Sequence, residues 1–357
     1  MRAPLTLTDL NRTLLARQLL LSRRAMPLVR ALEAVAGIQA QDPVAPLFGL
    51  LARLDGFASD ELTRALRRRS VVRGRLMRGT VHLVSARDYL RLEPAVGPLI
   101  RGQHQQYLRG RPPMPDVAER TREAMAMTAE PVPVAALRSH FGEDGWWRIR
   151  REGRFLYAPV EGPRGGFGRS ALLVAADAWL RGARFASGDE ALAHLVGRGL
   201  AGFGPMTLAD LVAWSGLPAA TLRPVVESLA LVRRRDERDR DLLDVPRRPV
   251  VQGDVAAPPR LLAPFDDAIL SHADRTRVID DDARRTVIRG GIVDAVVLVD
   301  GFVRGRWKIA RARRSAELVV DAFGPIPRAH ARALRAEAER TLAFAEPEAE
   351  RRVVRGL

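Results

Sequence analysis

The sequence contains no cysteine. This absence excludes disulfide bonds, thiolate zinc sites and cysteine nucleophiles, and it is typical of a cytoplasmic protein. Aromatic residues are also sparse, at 5% of 357 residues, which leaves few side chains on which unpaired bases could stack. No uncharged apolar run is long enough to span a bilayer. We therefore expect a cytoplasmic globular protein without a membrane partner.

Lysine occurs once, as Lys308, so arginine supplies 57 of the 58 basic residues. The formal net charge is +16, and a field of that sign attracts polyanions, above all nucleic acid. Arginine matches phosphate groups better than lysine does, but a GC-rich genome produces the same preference. The sign of the charge, rather than the choice of arginine, predicts a nucleic-acid partner.

The sequence lacks the common enzyme signatures. It has no HExxH motif, no phosphate-binding Walker loop and no dinucleotide-binding glycine motif. Its six histidines show no metal-ligand spacing. Five aspartates, Asp266, Asp267 and the run 280–282, could bind a divalent ion, but solvated turns and helix caps explain such residues more often. We predict no cofactor and no metal.

The first 90 residues predict helices followed by a hairpin. Apolar periodicity indicates a helix capped by Thr8 and Asp9, a second helix over 27–36, a third from Pro43 and a fourth from Ser59. Two short strands with glycine-bearing turns follow at 71–84. This order is typical of a winged helix-turn-helix, and three arginines make its hairpin basic: Arg73, Arg75 and Arg78.

The same order recurs twice. In the second copy, helices near 86–92, 117–127 and 133–141 precede a strand at 154–160 and a glycine-rich loop at 161–169, interpreted as a second wing. In the third copy, Thr207 and Asp210 have capping-box spacing and Gly216 makes the turn between two helices. Pro224 should kink the second of these helices. The charged stretch 233–248 is either a wing or a linker.

The last third changes character. Residues 296–309 predict a β-hairpin with Asp300 and Gly301 at its turn, followed by a strand over 316–323 and a helix over 327–344. Basic residues on the hairpin suit contact with a DNA groove; the alternative is a surface hairpin with Trp307 packed into the core.

These segments predict a mainly helical α+β protein of three tandem winged helix-turn-helix modules. The predicted boundaries are 1–90 for the first module, which carries the motif described next, 91–185 for the second and 186–250 for the third. A C-terminal β element with its helix fills 251–357.

The stretch Gly37 to Pro43, called the glutamine joint below, connects two predicted helices. Asp42 and Pro43 signal the start of the second helix. In an extended joint, residues two apart point to the same side, which would direct the amides of Gln39 and Gln41 toward one site. The alternative is that both are polar linker residues satisfying helix-end backbone groups.

An ordered set of fragments resembles the AlkZ–YcaQ family of winged-helix DNA glycosylases. The fragments are RQLLL at 17–21, GIQAQDP at 37–43, MRGTVHLV at 77–84, LLAPFDD at 261–267 with HADRTR at 272–277, and VDG at 299–301 with GRW at 305–307. The resemblance runs nearly end to end. It implies a C-shaped, basic cradle for double-stranded DNA and excision of bulky N7-alkylated purines. It also implies unhooking of interstrand crosslinks.

The resemblance also implies the roles of individual residues. Gln39-Ala40-Gln41 matches the Gln-x-Gln motif of the AlkZ-type branch, in which many members protect producers of DNA-alkylating antibiotics, rather than Gln-x-Asp of the YcaQ-type branch. Gln39 and Gln41 are then catalytic. The expected DNA contacts are His82, Arg73, Arg75, Arg78, Arg275, Arg277, Arg304, Arg306 and Lys308. For His82 the alternative is a strand histidine with a structural hydrogen bond. We expect a monomer.

The chemistry agrees with this expectation. A glutamine amide has no usable pKa, but it can hold a water by hydrogen bonds. An N7-alkylguanine is already cationic and leaves without an acid catalyst, so placing the water and surrounding the growing positive charge with dipoles would be enough. Strand nicking through a Schiff base requires an amine, and Lys308 lies far along the chain. A monofunctional enzyme is therefore predicted.

Two other functions remain open from the sequence. A non-catalytic winged-helix transcription regulator explains the charge and the helix-turn-helix patterns equally well, although it leaves the glutamine joint unexplained. An RNA-binding protein fits less well, because aromatic residues are sparse.

Overall fold

The computed structural model describes residues 3–110, 112, 114–160 and 171–357. These residues form an α+β protein, mainly helical, as predicted. None of the described helices is long and apolar enough to cross a membrane. The predicted second wing at 161–169 lies outside the described residues.

The first unit has the predicted order of helices followed by a hairpin. Its elements are α1 (Leu7–Arg17), α2 (Leu28–Ala34), β1 (Ile38–Gln39), α3 (Ala45–Arg53), α4 (Ser59–Arg67), β2 (Val71–Arg75), a 3-10 turn (Met77–Gly79) and β3 (Val81–Ser85). The cap of α1 is Thr6, whose hydroxyl accepts from Asp9 N. Helix α3 begins two residues later than predicted, because the Asp42 carboxylate accepts from the backbone N–H groups of Val44 and Ala45 and holds the chain in a turn.

The second region departs from the prediction in its first helix. The elements are α5 (Ala86–Tyr107), α6 (Val117–Met127), β4 (Val132–Pro133), α7 (Val134–Phe141), α8 (Glu143–Glu152), β5 (Phe155–Ala158), β6 (Leu172–Ala175) and α9 (Ala176–Trp179). Helix α5 continues through Pro94 and Pro98, where local propensity predicts an earlier end. It packs against a later helix, α10 (Gly188–Phe203), and tertiary packing of that kind overrides propensity. The predicted division between residues 90 and 91 falls inside α5.

The third unit follows its sequence signals closely. It consists of α10, α11 (Leu208–Ser215), α12 (Ala219–Ser228), β7 (Val232–Arg235) and β8 (Asp241–Asp244). The capping box between Thr207 and Asp210 is present, and Gly216 ends α11 with a φ of +81°. Helix α12 contains Pro224. The stretch 233–248, which could have been a linker, contains a two-stranded hairpin.

The C-terminal region is a larger sheet than predicted. Its elements are β9 (Arg260–Leu262), α13 (Asp267–Leu270), α14 (Asp281–Val287), β10 (Ile288–Arg289), β11 (Ile292–Val293), β12 (Val296–Val299), β13 (Phe302–Arg311), β14 (Ser315–Ala322), α15 (Arg328–Ala345) and β15 (Arg351–Arg355). The hairpin β12–β13 is confirmed, with positive φ at Asp300 and Gly301 as a two-residue turn requires. The predicted strand that follows the hairpin is β14, and two further strands, β9 and β15, complete a sheet of five in the order β15-β14-β13-β12-β9.

The turn of this hairpin is docked on α1. The side-chain amide of Asn11 donates to Gly301 O at 2.8 Å, and Arg12 donates to Asp300 O at 3.0 Å. Trp307 is only 7% exposed and donates from its indole to Leu262 O at 2.9 Å. The alternative with Trp307 in the core is therefore the observed one, and the turn is not free to enter a DNA groove.

A six-stranded sheet joins the first two units, in the order β1-β3-β2-β5-β6-β4. Gly74 on β2 pairs with Leu156 on β5 at the junction. A Cβ at Gly74 would lie 2.8 Å from both Leu156 and Tyr89, so the close approach requires glycine. One face of the sheet packs on α5, and β1 lies at the edge, where it positions the glutamine joint.

Candidate active site

The glutamine joint is extended at its first glutamine, as predicted. Gln39 pairs with His82 in the antiparallel ladder between β1 and β3, and Ala40 N donates to Val81 O at 2.7 Å. The start of the joint is thus a strand paired with the hairpin of the first unit, and not an unpaired linker between two helices.

Gln39 is buried and its amide has a fixed orientation. Its Oε1 accepts from Arg78 Nη2 at 2.7 Å, and its backbone N donates to Asp267 Oδ2 at 2.9 Å. A guanidinium only donates hydrogen bonds. Arg78 therefore selects the orientation in which the Gln39 oxygen points toward it and the NH₂ group points away.

Gln41 is exposed, and its amide is oriented in the same manner. Its Oε1 accepts from the backbone N of Val81 at 3.2 Å, again from a group that can only donate. Both glutamine oxygens therefore bond within the segment 78–81. Neither Nε2 donates to another described residue, so each amide keeps an NH₂ group and one oxygen lone pair available to a water or a base.

Arg78 is the centre of this arrangement. It sits in the turn with a φ of +57° and donates to Trp214 O at 2.7 Å and to Asp267 Oδ1 at 2.8 Å, in addition to Gln39. It was expected to contact DNA. Its guanidinium instead connects the first hairpin, the third unit and the C-terminal region, so a positioning role fits its geometry better.

His82 is fully buried, with Nδ1 3.1 Å from Thr80 O. Burial lowers its pKa to about 4; the charge of Arg78 acts in the same direction and Asp267 opposes it. The ring is therefore neutral near pH 7 and donates from Nδ1, while Nε2 has no partner among the described residues. This is the strand histidine with a structural hydrogen bond, and it presents no surface to DNA.

The aspartates of the LLAPFDD fragment are neither solvated nor arranged as metal ligands. Asp266 is bound by Arg53 through two hydrogen bonds of 2.8 Å, and both side chains are buried. Asp267 binds Arg78 and the backbone of Gln39. Within the described part of the chain, no group of acidic or histidine side chains has the arrangement of a metal site. Asp267 was missed as a site residue because it lies 228 positions from Gln39.

Two other predicted arginines flank the joint. Arg73 donates to Ala40 O at 3.2 and 3.0 Å and stacks on Tyr157, 4.7 Å from its ring centre. Arg75 donates to Gly79 O at 3.1 Å. Both are half-buried; Arg73 holds the joint at Ala40, whereas Arg75 holds the turn of the hairpin.

The other residues that were expected to contact DNA lie in different parts of the structure. Arg275 is half-buried, and its pKa is lowered by burial and by the charges of Arg284 and Arg78. Arg277 was expected to contact DNA, but it is only 3% exposed and donates to Pro205 O at 3.1 Å, so its side chain is not accessible to DNA. No described hydrogen bond or ion pair connects the three basic residues of the C-terminal hairpin to the joint; these are Arg304, Arg306 and Lys308.

Comparisons with known proteins identify the family and the fold. A family model described as DNA glycosylase AlkZ-like matches residues 32–344. The structure superimposes on the DNA glycosylase AlkZ of Streptomyces sahachiroi with a TM-score of 0.81, at 19% identity, covering 99% of this chain and 100% of that one. No curated protein matches the sequence. Because the family model spans most of the chain, this protein belongs to the AlkZ-like DNA glycosylase family.

Proposed function

We propose that this protein is a monofunctional DNA glycosylase that hydrolyses the N-glycosidic bond of bulky N7-alkylated purines. The observation that carries the proposal is the pair of glutamine amides whose orientations are fixed by hydrogen-bond donors from the segment 78–81. Such preorganisation lowers the barrier, because the dipoles need not reorient as charge develops.

In this proposal the two amides hold the attacking water. Each free oxygen lone pair can accept a hydrogen bond from the water while the cationic base departs. Asp267 does not act as the base, because its oxygens already bind Arg78 and the Gln39 backbone. The glutamines therefore act by position rather than by proton transfer.

We expect hydrolysis without strand cleavage, because the sequence contains a single lysine. A Schiff base needs an amine at the abasic sugar, and the only lysine of the sequence is Lys308, which is exposed on β13. We therefore propose that the product is an intact abasic site.

We further propose that the helix-and-hairpin units act as tandem winged helices that cradle double-stranded DNA, with one chain sufficient for binding. The net charge of +16 supports a polyanionic partner. We extend the proposal to unhooking of interstrand crosslinks and to protection against a genotoxic natural product.

The test is single-turnover excision from a duplex carrying one N7-alkylguanine. Wild-type protein should release the base and leave a site that breaks only on alkali treatment. Gln39→Ala and Gln41→Ala should each slow release at least tenfold, equivalent to about 1.4 kcal/mol of barrier. Gln252→Ala, at an exposed glutamine away from the joint, is the matched control.

Two outcomes contradict the proposal. If both joint variants release the base as fast as the wild-type protein does, the catalytic residues must lie at another site. No release from small or bulky adducts, together with at least a thousandfold preference for one DNA sequence, would identify a transcription regulator.

A further inference from the structure

A second basic feature lies beside the glutamine joint. Where β2 ends and β5 begins, a pocket of about 180 Å³ lies between the sheet, α5, α7 and α8. Arginines line it from all four sides: Arg75, Arg101, Arg138, Arg150, Arg151 and Arg154.

The carboxylate in the wall does not balance this charge. Glu93 is the one acidic residue among the described lining residues, and it is already shared, at 2.7 Å from Arg154 and 4.0 Å from Arg101. Like charges gathered at a partly desolvated site oppose folding unless an anion is present. The pocket is therefore built with an excess of positive charge.

Arg150 shows this excess most directly. Its Nε is buried and has no acceptor among the described residues. Burial lowers its pKa, and the neighbouring charges of Arg75 and Arg138 lower it further. Glu143, which opposes that effect, is 3.7 Å from Arg138 and strongly exposed. A guanidinium in this setting lacks a partner that an anion would supply.

The same wall contains a second unpaired donor. Trp146 is 1% exposed, and its indole Nε1 has no acceptor in the part of the chain that the structure describes. Buried donors without acceptors are rare in folded proteins. Two of them lie in the wall of this one arginine-lined pocket.

We propose that this pocket binds a phosphate group and that, in the complex with DNA, this group is a backbone phosphodiester close to the excised base. The assignment to DNA rests on the proposed function. Arginine forks match the geometry of phosphate oxygens.

The position of the pocket supports the DNA source. Arg75 lines it and also donates to Gly79 O in the turn that carries Arg78. Arg78 is three positions after Arg75, so their Cα atoms are at most about 11 Å apart. That distance corresponds to about three base steps along a strand. A phosphate held here would fix the register of the damaged strand over Gln39 and Gln41.

The experiment measures the salt dependence of binding to an undamaged duplex. One lost phosphate contact makes the slope of log K against log salt less negative by about 0.9. Arg150→Gln should produce that change, whereas Arg332→Gln, an exposed arginine on α15, should not. Equal slopes for the two variants would overturn the proposal. If Arg150→Gln does not fold, Arg138→Gln, whose side chain is exposed, provides the same test.

A calorimetric titration with inorganic phosphate at constant ionic strength separates the two phosphate sources. Phosphate binding that is lost in Arg150→Gln, together with a changed salt slope, supports the DNA assignment. If Arg150→Gln loses phosphate binding but the salt slope of DNA binding does not change, the pocket binds free phosphate, and the assignment to DNA is overturned. Because the duplex is undamaged, failure of base excision would reject the proposed function and leave this test intact.

Discussion

Arg78 donates a 2.7 Å hydrogen bond to the side-chain oxygen of Gln39. The two residues are 39 positions apart in sequence, and the same guanidinium nitrogen also binds Asp267. The orientation of the Gln39 amide, to which we assign a catalytic role in the proposed function, thus depends on a contact among three distant parts of the chain.

Replacing Arg78 by lysine tests that dependence. A lysine keeps the charge but cannot place donors on Gln39, Asp267 and Trp214 O together, so excision should slow at least tenfold, or about 1.4 kcal/mol, with little loss of affinity for undamaged DNA. Arg87→Lys, at a mostly exposed arginine, is the control for single-turnover rates and anisotropy titrations. An unchanged excision rate would remove Arg78 from the positioning role.

Gln41→Ala tests whether this residue affects base excision without affecting the stability of the fold. The Gln41 side chain is exposed and makes one hydrogen bond, so its loss should change the unfolding free energy by no more than about 0.5 kcal/mol. Excision should still slow at least tenfold. Denaturant unfolding and single-turnover kinetics on the same preparation provide both values. A large loss of stability with normal excision would show that the residue is structural.

Gly216→Ala tests the contact between the third unit and the turn. A Cβ there would lie 3.0 Å from the Arg78 Cα, and the positive φ adds strain of about 1 kcal/mol. Gly56 also has a positive φ, +67°, but a Cβ at that position would have no other atom within 4 Å. Gly56→Ala should therefore be destabilised by the strain alone, and Gly216→Ala should lose more stability and also slow excision. Equal effects in both variants would contradict the coupling.

His82 predicts a pH dependence of stability. Its pKa is about 4 in the folded protein and near 6.5 when unfolded. As the pH falls, the unfolded chain binds this proton more readily than the folded chain does, so the unfolding free energy should fall. The total fall from well above pH 6.5 to well below pH 4 is about 3.4 kcal/mol, of which about 2.6 kcal/mol occurs between pH 6.5 and 4.

The measurement compares wild type with His82→Gln by denaturant unfolding between pH 7 and 4.5. The variant should lose less stability over this range, by about 2.5 kcal/mol. His272 is also buried, with its pKa lowered to about 3, so the difference between the two proteins, rather than the absolute slope, isolates His82. His330→Gln is the control variant; parallel curves for wild type and His82→Gln would contradict the assignment.

Local signals predicted the local structure. Asp300 and Gly301 predicted the hairpin turn, and Thr207 and Asp210 predicted the capping box. The position of the glutamine joint between two helices predicted that it is extended. Each of these depends on residues a few positions apart, whose preferences are set by backbone sterics and hydrogen bonding.

The long-range features could not be predicted in this way. Asp267 reaches Gln39 from 228 positions away, and α5 passes through Pro94 and Pro98 because packing on α10 compensates for the lost hydrogen bonds. Arg277 looked like a DNA contact because it is basic and lies in a matching fragment, but its burial follows from packing that no local pattern reveals.

The pairing of β2 with β5 has a consequence for damage recognition. Because the first two units share one sheet and α5 crosses their predicted boundary, they cannot hinge apart without breaking that pairing. If the proposed cradle requires a bent duplex, the DNA would have to supply that bend, at a cost of about 1–6 kcal/mol for a smooth bend of 40–90°. Lesions that already weaken base stacking would reduce this cost, so the flexibility of the damaged DNA would contribute to selection before any base is read.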